Sequence, residues 1–225
     1  MRKRAVIFDF DGTVADTIPV IREGINLTME QYGFPTHTDA EVRTYINNGP
    51  RMLIRRALPE SVREGEDLLL RVLADYNDLY RKVCLHTDKP YDGIPESIAE
   101  LRAQGYRIGV LSNKQDVLVG PLCETVIPDL YDATLGSLPD HPAKPDPYMP
   151  NRIAEQLGVS VTDCILIGDS DVDVLTAKNA GMGHIGVTWG YRSADCLREV
   201  GATVLVDTPK DLTDAINQYF AGKEL

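Results

Sequence analysis

The chain has little of what a cross-linked, zinc-folded or membrane-spanning protein needs. Its four cysteines, Cys84, Cys123, Cys164 and Cys196, are widely spaced and form no CxxC pair. That excludes a disulfide framework or zinc site and fits a reducing compartment. The four histidines, His37, His86, His141 and His184, show no ligand spacing, and the single tryptophan, Trp189, reads as packing. No apolar run approaches the length of a bilayer span. Only Ala5–Phe8 separate the basic start MRKR from Asp9, so there is no signal-peptide core. Positive charge is scarce too: 23 Lys and Arg against 34 Asp and Glu, a formal charge of −11. Such a field disfavours nucleic acid and anionic membranes as partners. An anionic substrate would need a metal or a local cluster of cations to reverse it. The expected setting is soluble and cytoplasmic.

What is present is ordinary globular composition, with 43% apolar and 25% charged residues in 225. That length suits one moderate domain, or a core with an inserted subdomain. Ala5–Phe8, Arg107–Leu111, Cys164–Ile167, His184–Thr188 and Thr203–Val206 are short apolar runs expected as parallel strands, with Ala133–Leu135 as a further short one. Helical patterns lie between them: Pro95–Gln104 before Gly105, Pro147–Leu157 before Gly158, and Val172–Ala180 before Gly181. This alternation predicts an α/β fold, a Rossmann-like parallel sheet flanked by helices.

One region breaks the alternation. From Thr17 to Val83 the spacing is helical throughout. Ile18, Ile21, Ile25 and Met29 recur on one face, Thr38 with Glu41 makes a capping box, and Arg51–Leu58 and Leu68–Val83 complete about four helices. The expectation is an all-helical cap over residues 16–88, inserted into a core of residues 1–15 and 89–225. Its hinges fall at Ala15–Thr17 and His86–Gly93.

Four motifs follow strands or precede helices, and in open α/β sheets ligands bind beyond the carboxyl ends of strands. They are Asp9-Phe10-Asp11-Gly12-Thr13, Ser112-Asn113-Lys114, Lys144-Pro145-Asp146-Pro147 and Gly168-Asp169-Ser170-Asp171-Val172-Asp173. Each alone is an ordinary turn. In this order the set resembles the haloacid dehalogenase superfamily, its phosphatase branch in particular, over nearly the whole chain. Asn48-Gly49-Pro50-Arg51 and the stretch GVTWGYRS, Gly186–Ser193, are similar to bacterial phosphoglycolate phosphatases.

The resemblance implies a role for each residue. Asp9 is the expected nucleophile and Asp11 the acid and then base, so the two crowded carboxylates start in different protonation states. A cation must then sit beside Asp9. Asp9, Asp169 and the backbone carbonyl of Asp11 are the expected ligands, and hard oxygen donors with phosphate favour magnesium. Ser112, Lys144 and the amides of Phe10 and Asn113 would hold the phosphoryl oxygens. Asp173 would orient Lys144 or water at the metal, ahead of Asp171, which suffices as a helix-start acid. Arg51, beside Gly49, is the candidate reader of a substrate carboxylate, although with Arg55 and Arg56 it equally suits a solvated basic face. Arg192, after GVTWGY, is a second candidate for that contact, with a structural role in its loop preferred.

The implied activity is magnesium-dependent hydrolysis of a small phosphate ester, 2-phosphoglycolate first, by a monomer or homodimer. Inorganic pyrophosphatase and sugar-phosphate mutase are the alternatives. Mutases such as β-phosphoglucomutase carry a histidine just after the first motif, whereas Ile18-Pro19-Val20-Ile21 has none.

Overall fold

In the computed structural model, which describes residues 3–46, 48–87 and 89–223, six strands form one sheet in the order β3-β2-β1-β4-β5-β6. They are β1 Ala5–Phe8, β2 Arg107–Gln115, β3 Ala133–Ser137, β4 Cys164–Gly168, β5 Gly183–Val187 and β6 Leu205–Val206. All neighbours run parallel, and β1 sits centrally between β2 and β4. Its four residues AVIF are fully buried, as a strand covered on both faces requires.

The chain divides into two compact units, Met1–Asp16 with Lys89–Leu225, and Thr17–Asp88. The second expected hinge, His86–Gly93, includes Asp88, which lies outside the described residues. Asp16 groups with the first unit, where its carboxylate accepts a 3.1 Å hydrogen bond from the Tyr191 hydroxyl. Within that unit Ala15 bridges Pro90 and the Tyr91 amide donates to the Val14 carbonyl at 2.9 Å. The segments leading out of the unit and back into it therefore run side by side.

The unit Thr17–Asp88 is helical: α1 Ile18–Gln31, α2 Asp39–Tyr45, α3 Gly49–Ala57 and α4 Glu66–Val83, followed by a short 3-10 turn at Cys84–His86. Ile18, Ile21, Ile25 and Met29 form the buried stripe of α1. The capping box at Thr38 is present, with the Glu41 carboxylate accepting from the Thr38 amide at 2.8 Å.

In the sheet unit the remaining helices are α5 Ile94–Ala103, α6 Asp116–Val126, α7 Tyr148–Leu157, α8 Asp171–Ala180, α9 Ala194–Glu199 and α10 Leu212–Gly222. One core layer joins Ala5, Ile7, Leu111 and Leu166 of the sheet to Met149, Ile153, Leu157 and Ala177 of α7 and α8. Three strands differ from expectation by two residues or more, and β3 is one of them, running on from Leu135 to Ser137. β6 shortens to Leu205–Val206, an edge strand with a partner on one side only. β2 continues through Ser112-Asn113-Lys114 to Gln115, past a register irregularity against β3.

His184 on β5 carries two ring nitrogens shut off from solvent without a hydrogen-bond partner. Burial pushes its imidazolium down to about 4 from 6.5, so the folded chain keeps it neutral where the unfolded chain would be protonated. That stability is full above 6.5 and is lost as pH falls toward 4. Between pH 7 and 5 the loss is about 2 kcal/mol from this group. Urea titrations at both pH values should show wild type losing that much more than His184→Leu. Equal losses in the two proteins would remove His184 as the cause.

Candidate active site

The sheet register builds the site. Phe8 pairs with Val110 on one side and Ile167 on the other, so Asp9, Leu111 and Gly168 stand at one level. The Asp9 amide still donates to the Ile167 carbonyl at 2.8 Å. Asp9, Ser112 and Asp169 therefore emerge together at the carboxyl edge, where β1 and β4 diverge in winding direction.

Lys144 arrives from the loop before α7 and is buried. Its ammonium lies 2.9 Å from Asp9 Oδ1 and 2.6 Å from Asp173 Oδ1, and donates to the Leu111 carbonyl at 3.2 Å. Burial works against the charge, but Asp173 and Asp9 outweigh it and hold the lysine protonated above its ordinary range. The Asn113 side chain braces this lysine from both sides of its peptide, accepting from the Lys144 amide at 2.8 Å and donating to the Lys144 carbonyl at 3.0 Å. Asp173 is placed by a capping box: its amide donates to the Ser170 hydroxyl, which in turn donates to Asp173 Oδ2 at 2.6 Å.

Asp169 is fully buried and held on both oxygens. The Thr13 hydroxyl donates to Oδ1 at 3.2 Å and the Tyr191 amide to Oδ2 at 2.7 Å. Trp189 and Gly190 complete this clasp. The indole N–H donates to the Thr13 carbonyl at 3.1 Å, and a Cβ on Gly190 would fall 2.3 Å from the Asp169 Cβ. Gly12, at φ 85°, also approaches closely: a Cβ there would lie 2.5 Å from Asp169 Oδ2. Both glycines are needed for space, and Gly12 also for its left-handed backbone. The loop Trp189–Tyr191 is therefore part of the site, and its spacing alone gave only packing as a reading.

Oxygens of Asp9, Asp169 and Asp173 all lie within 4.8 Å of one another. Burial, then Asp173, raise the Asp9 carboxyl well above its usual value, with Lys144 opposing. Burial and Asp173 likewise push Asp169 up to about 7. Such carboxylates call for a cation. Asp9, Asp169 and Asp173 crowd three carboxylates around the Lys144 ammonium, an excess of negative charge that a bound cation would offset. Asp9 and Asp169 match the expected ligand set. Asp173 stands third in the cluster, but its oxygens already accept from Lys144 and Ser170. The side chain of Asp11 is not in it. No histidine joins a metal-capable group among the described residues.

The other expected residues are placed as follows. The Phe10 amide donates to Asp9 Oδ1 at 2.8 Å. The Ser112 hydroxyl lies 3.5 Å from Asp11 Oδ2 and accepts from the Lys114 amide at 3.2 Å. Asp11 Oδ1 pairs with the Lys114 ammonium at 3.1 Å, a contact that reading the strand as ending at Leu111 did not anticipate. Arg192 Nε faces Asp171 at 3.6 Å, in keeping with a loop role. In the helical unit, Arg51 follows Gly49 on α3 and is ion-paired with Glu66, which also takes Arg55 at 2.7 Å.

Comparison with known proteins follows this geometry. The family model for haloacid dehalogenase-like hydrolases matches residues 6–187. A phosphoglycolate phosphatase of Psychrobacter arcticus is 29% identical over 222 residues, covering 95% of this chain and 96% of that one. An N-acetylmuramic acid 6-phosphate phosphatase of Pseudomonas aeruginosa is 31% identical over 221 residues, covering 97% and 96%. A crystal structure from Lactobacillus delbrueckii subsp. bulgaricus superposes with TM-score 0.88 at 32% identity, covering 96% of this chain and 99% of that one. No helix among the described residues is long and apolar enough to cross a membrane. No disulfide forms among them, and Cys84, Cys123 and Cys164 are buried.

Proposed function

The chain belongs to the haloacid dehalogenase-like hydrolase family, and from that premise we propose that it is a magnesium-dependent phosphomonoesterase acting on a small phosphorylated acid, 2-phosphoglycolate first. The observation that supports this reading best is the buried Lys144 ammonium shared between Asp9 and Asp173. It keeps a positive charge at the one carboxylate that must stay ionised to attack.

Asp9 attacks phosphorus and the bond to the ester oxygen breaks, while Asp11 gives that oxygen its proton. The product is an aspartyl-phosphate on Asp9. Asp11, now a base, takes a proton from water as the water oxygen bonds to phosphorus and the bond to Asp9 breaks, releasing inorganic phosphate. Ser112, Lys144 and the backbone amides of Phe10 and Asn113 surround the phosphoryl oxygens in both steps. Asp9, Asp169 and the Asp11 carbonyl would hold the magnesium ion, which supplies positive charge against the transferring group. Asp173 positions Lys144. The helical unit Thr17–Asp88 acts as the cap, with Gly49 and Arg51 as its specificity residues. An exposed ion pair such as Arg51 with Glu66 contributes little stability, about 0–1 kcal/mol, and opens readily.

The two curated relatives are named for different substrates at nearly equal identity, so overall likeness does not choose between them. Both names denote phosphate esters of an acid. The test is phosphate release with magnesium and with excess chelator, across 2-phosphoglycolate, sugar phosphates, nucleotides and pyrophosphate. 2-Phosphoglycolate should lead, and chelation should lower turnover at least about 100-fold. Undiminished turnover in chelator rejects the magnesium assignment, and a sugar phosphate or pyrophosphate in first place rejects the substrate.

A further inference from the structure

The proposed chemistry uses one lysine, Lys144, yet a second buried lysine stands in the same site. Lys114 lies on the part of β2 beyond Leu111. Ser112 and Lys114 both meet Asp11, the hydroxyl at 3.5 Å and the ammonium at 3.1 Å, while the Asn113 side chain turns to the Lys144 backbone. The Lys114 side chain is only 6% exposed, and its ammonium sits 3.1 Å from Asp11. The two cations are thus divided: Lys144 serves Asp9, and Lys114 stands at Asp11.

That division has a chemical consequence. Asp11 must touch the ester oxygen to protonate it, so a cation at Asp11 lies on the side of the departing alcohol and away from the nucleophile. We propose that Lys114 is a specificity-determining residue that binds a carboxylate of the leaving group, attached to the same carbon that bears the ester oxygen. The proposal rests on the phosphatase reading and names its substrate class more closely: monophosphates of 2-hydroxy acids. An ammonium has three donors and can hold Asp11 and a substrate carboxylate together. Because Lys114 is shielded from water, the second bond is made in a medium where charge pairing is strong. A leaving group with a methyl in that place offers Lys114 no acceptor. Arg51 reads the same group only if it leaves Glu66, whereas Lys114 is held within the sheet unit itself.

The test compares 2-phosphoglycolate with ethyl phosphate, which replaces the carboxylate by a methyl. The readout is the ratio of their kcat/KM values in magnesium, for wild type, Lys114→Met, Lys114→Gln, Lys114→Arg and Arg51→Ala. Wild type should favour 2-phosphoglycolate. The ratio should fall about 10- to 100-fold in the Met and Gln variants, the range of one charge-assisted hydrogen bond. Lys114→Arg should keep more of it than either, and Arg51→Ala should keep most of it. A wild-type ratio near one overturns the proposal before any variant is made. A ratio unchanged in Lys114→Gln also overturns it, since Lys114 would then serve Asp11 alone, and so does a collapse confined to Arg51→Ala. If wild type releases phosphate from no ester at all, the failure is of the phosphatase reading itself.

Discussion

Asp9→Asn should lower phosphate release by about 10^4-fold or more, the scale seen when a covalent nucleophile is removed, while leaving the fold intact. Asparagine matches aspartate in size, so the Phe10 amide and Lys144 keep an oxygen partner in place of Asp9 Oδ1. It also removes one negative charge from a buried cluster in which Asp173, Asp169 and Asp11 all raise the Asp9 carboxyl. The metal-free variant should therefore melt no lower than metal-free wild type at pH 7. Sign and window follow from linkage: a carboxyl raised above its unfolded value is favoured protonated in the fold, and ionising it as pH rises withdraws stability. Two measurements check the role. Rapid acid quench of wild type turning over a radiolabelled ester should leave label on the protein, and the variant should carry none. Substantial residual turnover, or label on the variant, would assign the nucleophile elsewhere.

Gly190→Ala should also impair the site, by less than Asp9→Asn, through its crowding of Asp169. Its Cβ would lie 2.3 Å from the Cβ and 2.5 Å from Oδ2 of Asp169, distances at which atoms must move. Asp169 cannot retreat far, because Gly12 also lies close against it and Thr13 and Tyr191 hold its oxygens. The carboxylate then turns from the direction it shares with Asp9 and Asp173. Loss of about 10- to 100-fold in magnesium affinity or activity is the expected scale for a disturbed supporting shell. The informative readout is the magnesium concentration at half-maximal activity, together with the rise in melting temperature that magnesium produces in wild type. Both should shift in Gly190→Ala. A variant with lower activity but an unaltered magnesium midpoint would mean that the loop acts on something other than Asp169.

These two predictions differ in how much of them the amino-acid order supports. Asp9 was legible because Asp9, Asp11, Gly12 and Thr13 follow an apolar run and stand in order with Ser112, Lys144 and Asp169. The strands were legible because Ala5–Phe8 and Cys164–Ile167 are short, apolar and β-branched, and the helical stretch because its apolar residues recur at three and four. Gly190 was not legible. A glycine after tryptophan reads as a turn, and nothing local reveals an aspartate 21 positions earlier against its Cα. Lys114 was missed for a related reason. With the strand taken to end at Leu111, Ser112-Asn113-Lys114 looked like a loop, and only the fold shows that Ser112 and Lys114 both meet Asp11.

By itself the sequence determined the α/β alternation, the helical stretch between the first and second strands, and four motifs whose residue types suit phosphoryl transfer. Those are properties of periodicity and of short spacing, which local chemistry sets. The tertiary structure decided which lysine stands at which carboxylate, that Asn113 braces Lys144, and that Trp189–Tyr191 clasps Asp169. Those contacts join residues 22, 29, 31 and 156 positions apart. Their existence depends on strand order and register, which bring Asp9, Ser112 and Asp169 to one edge at one level.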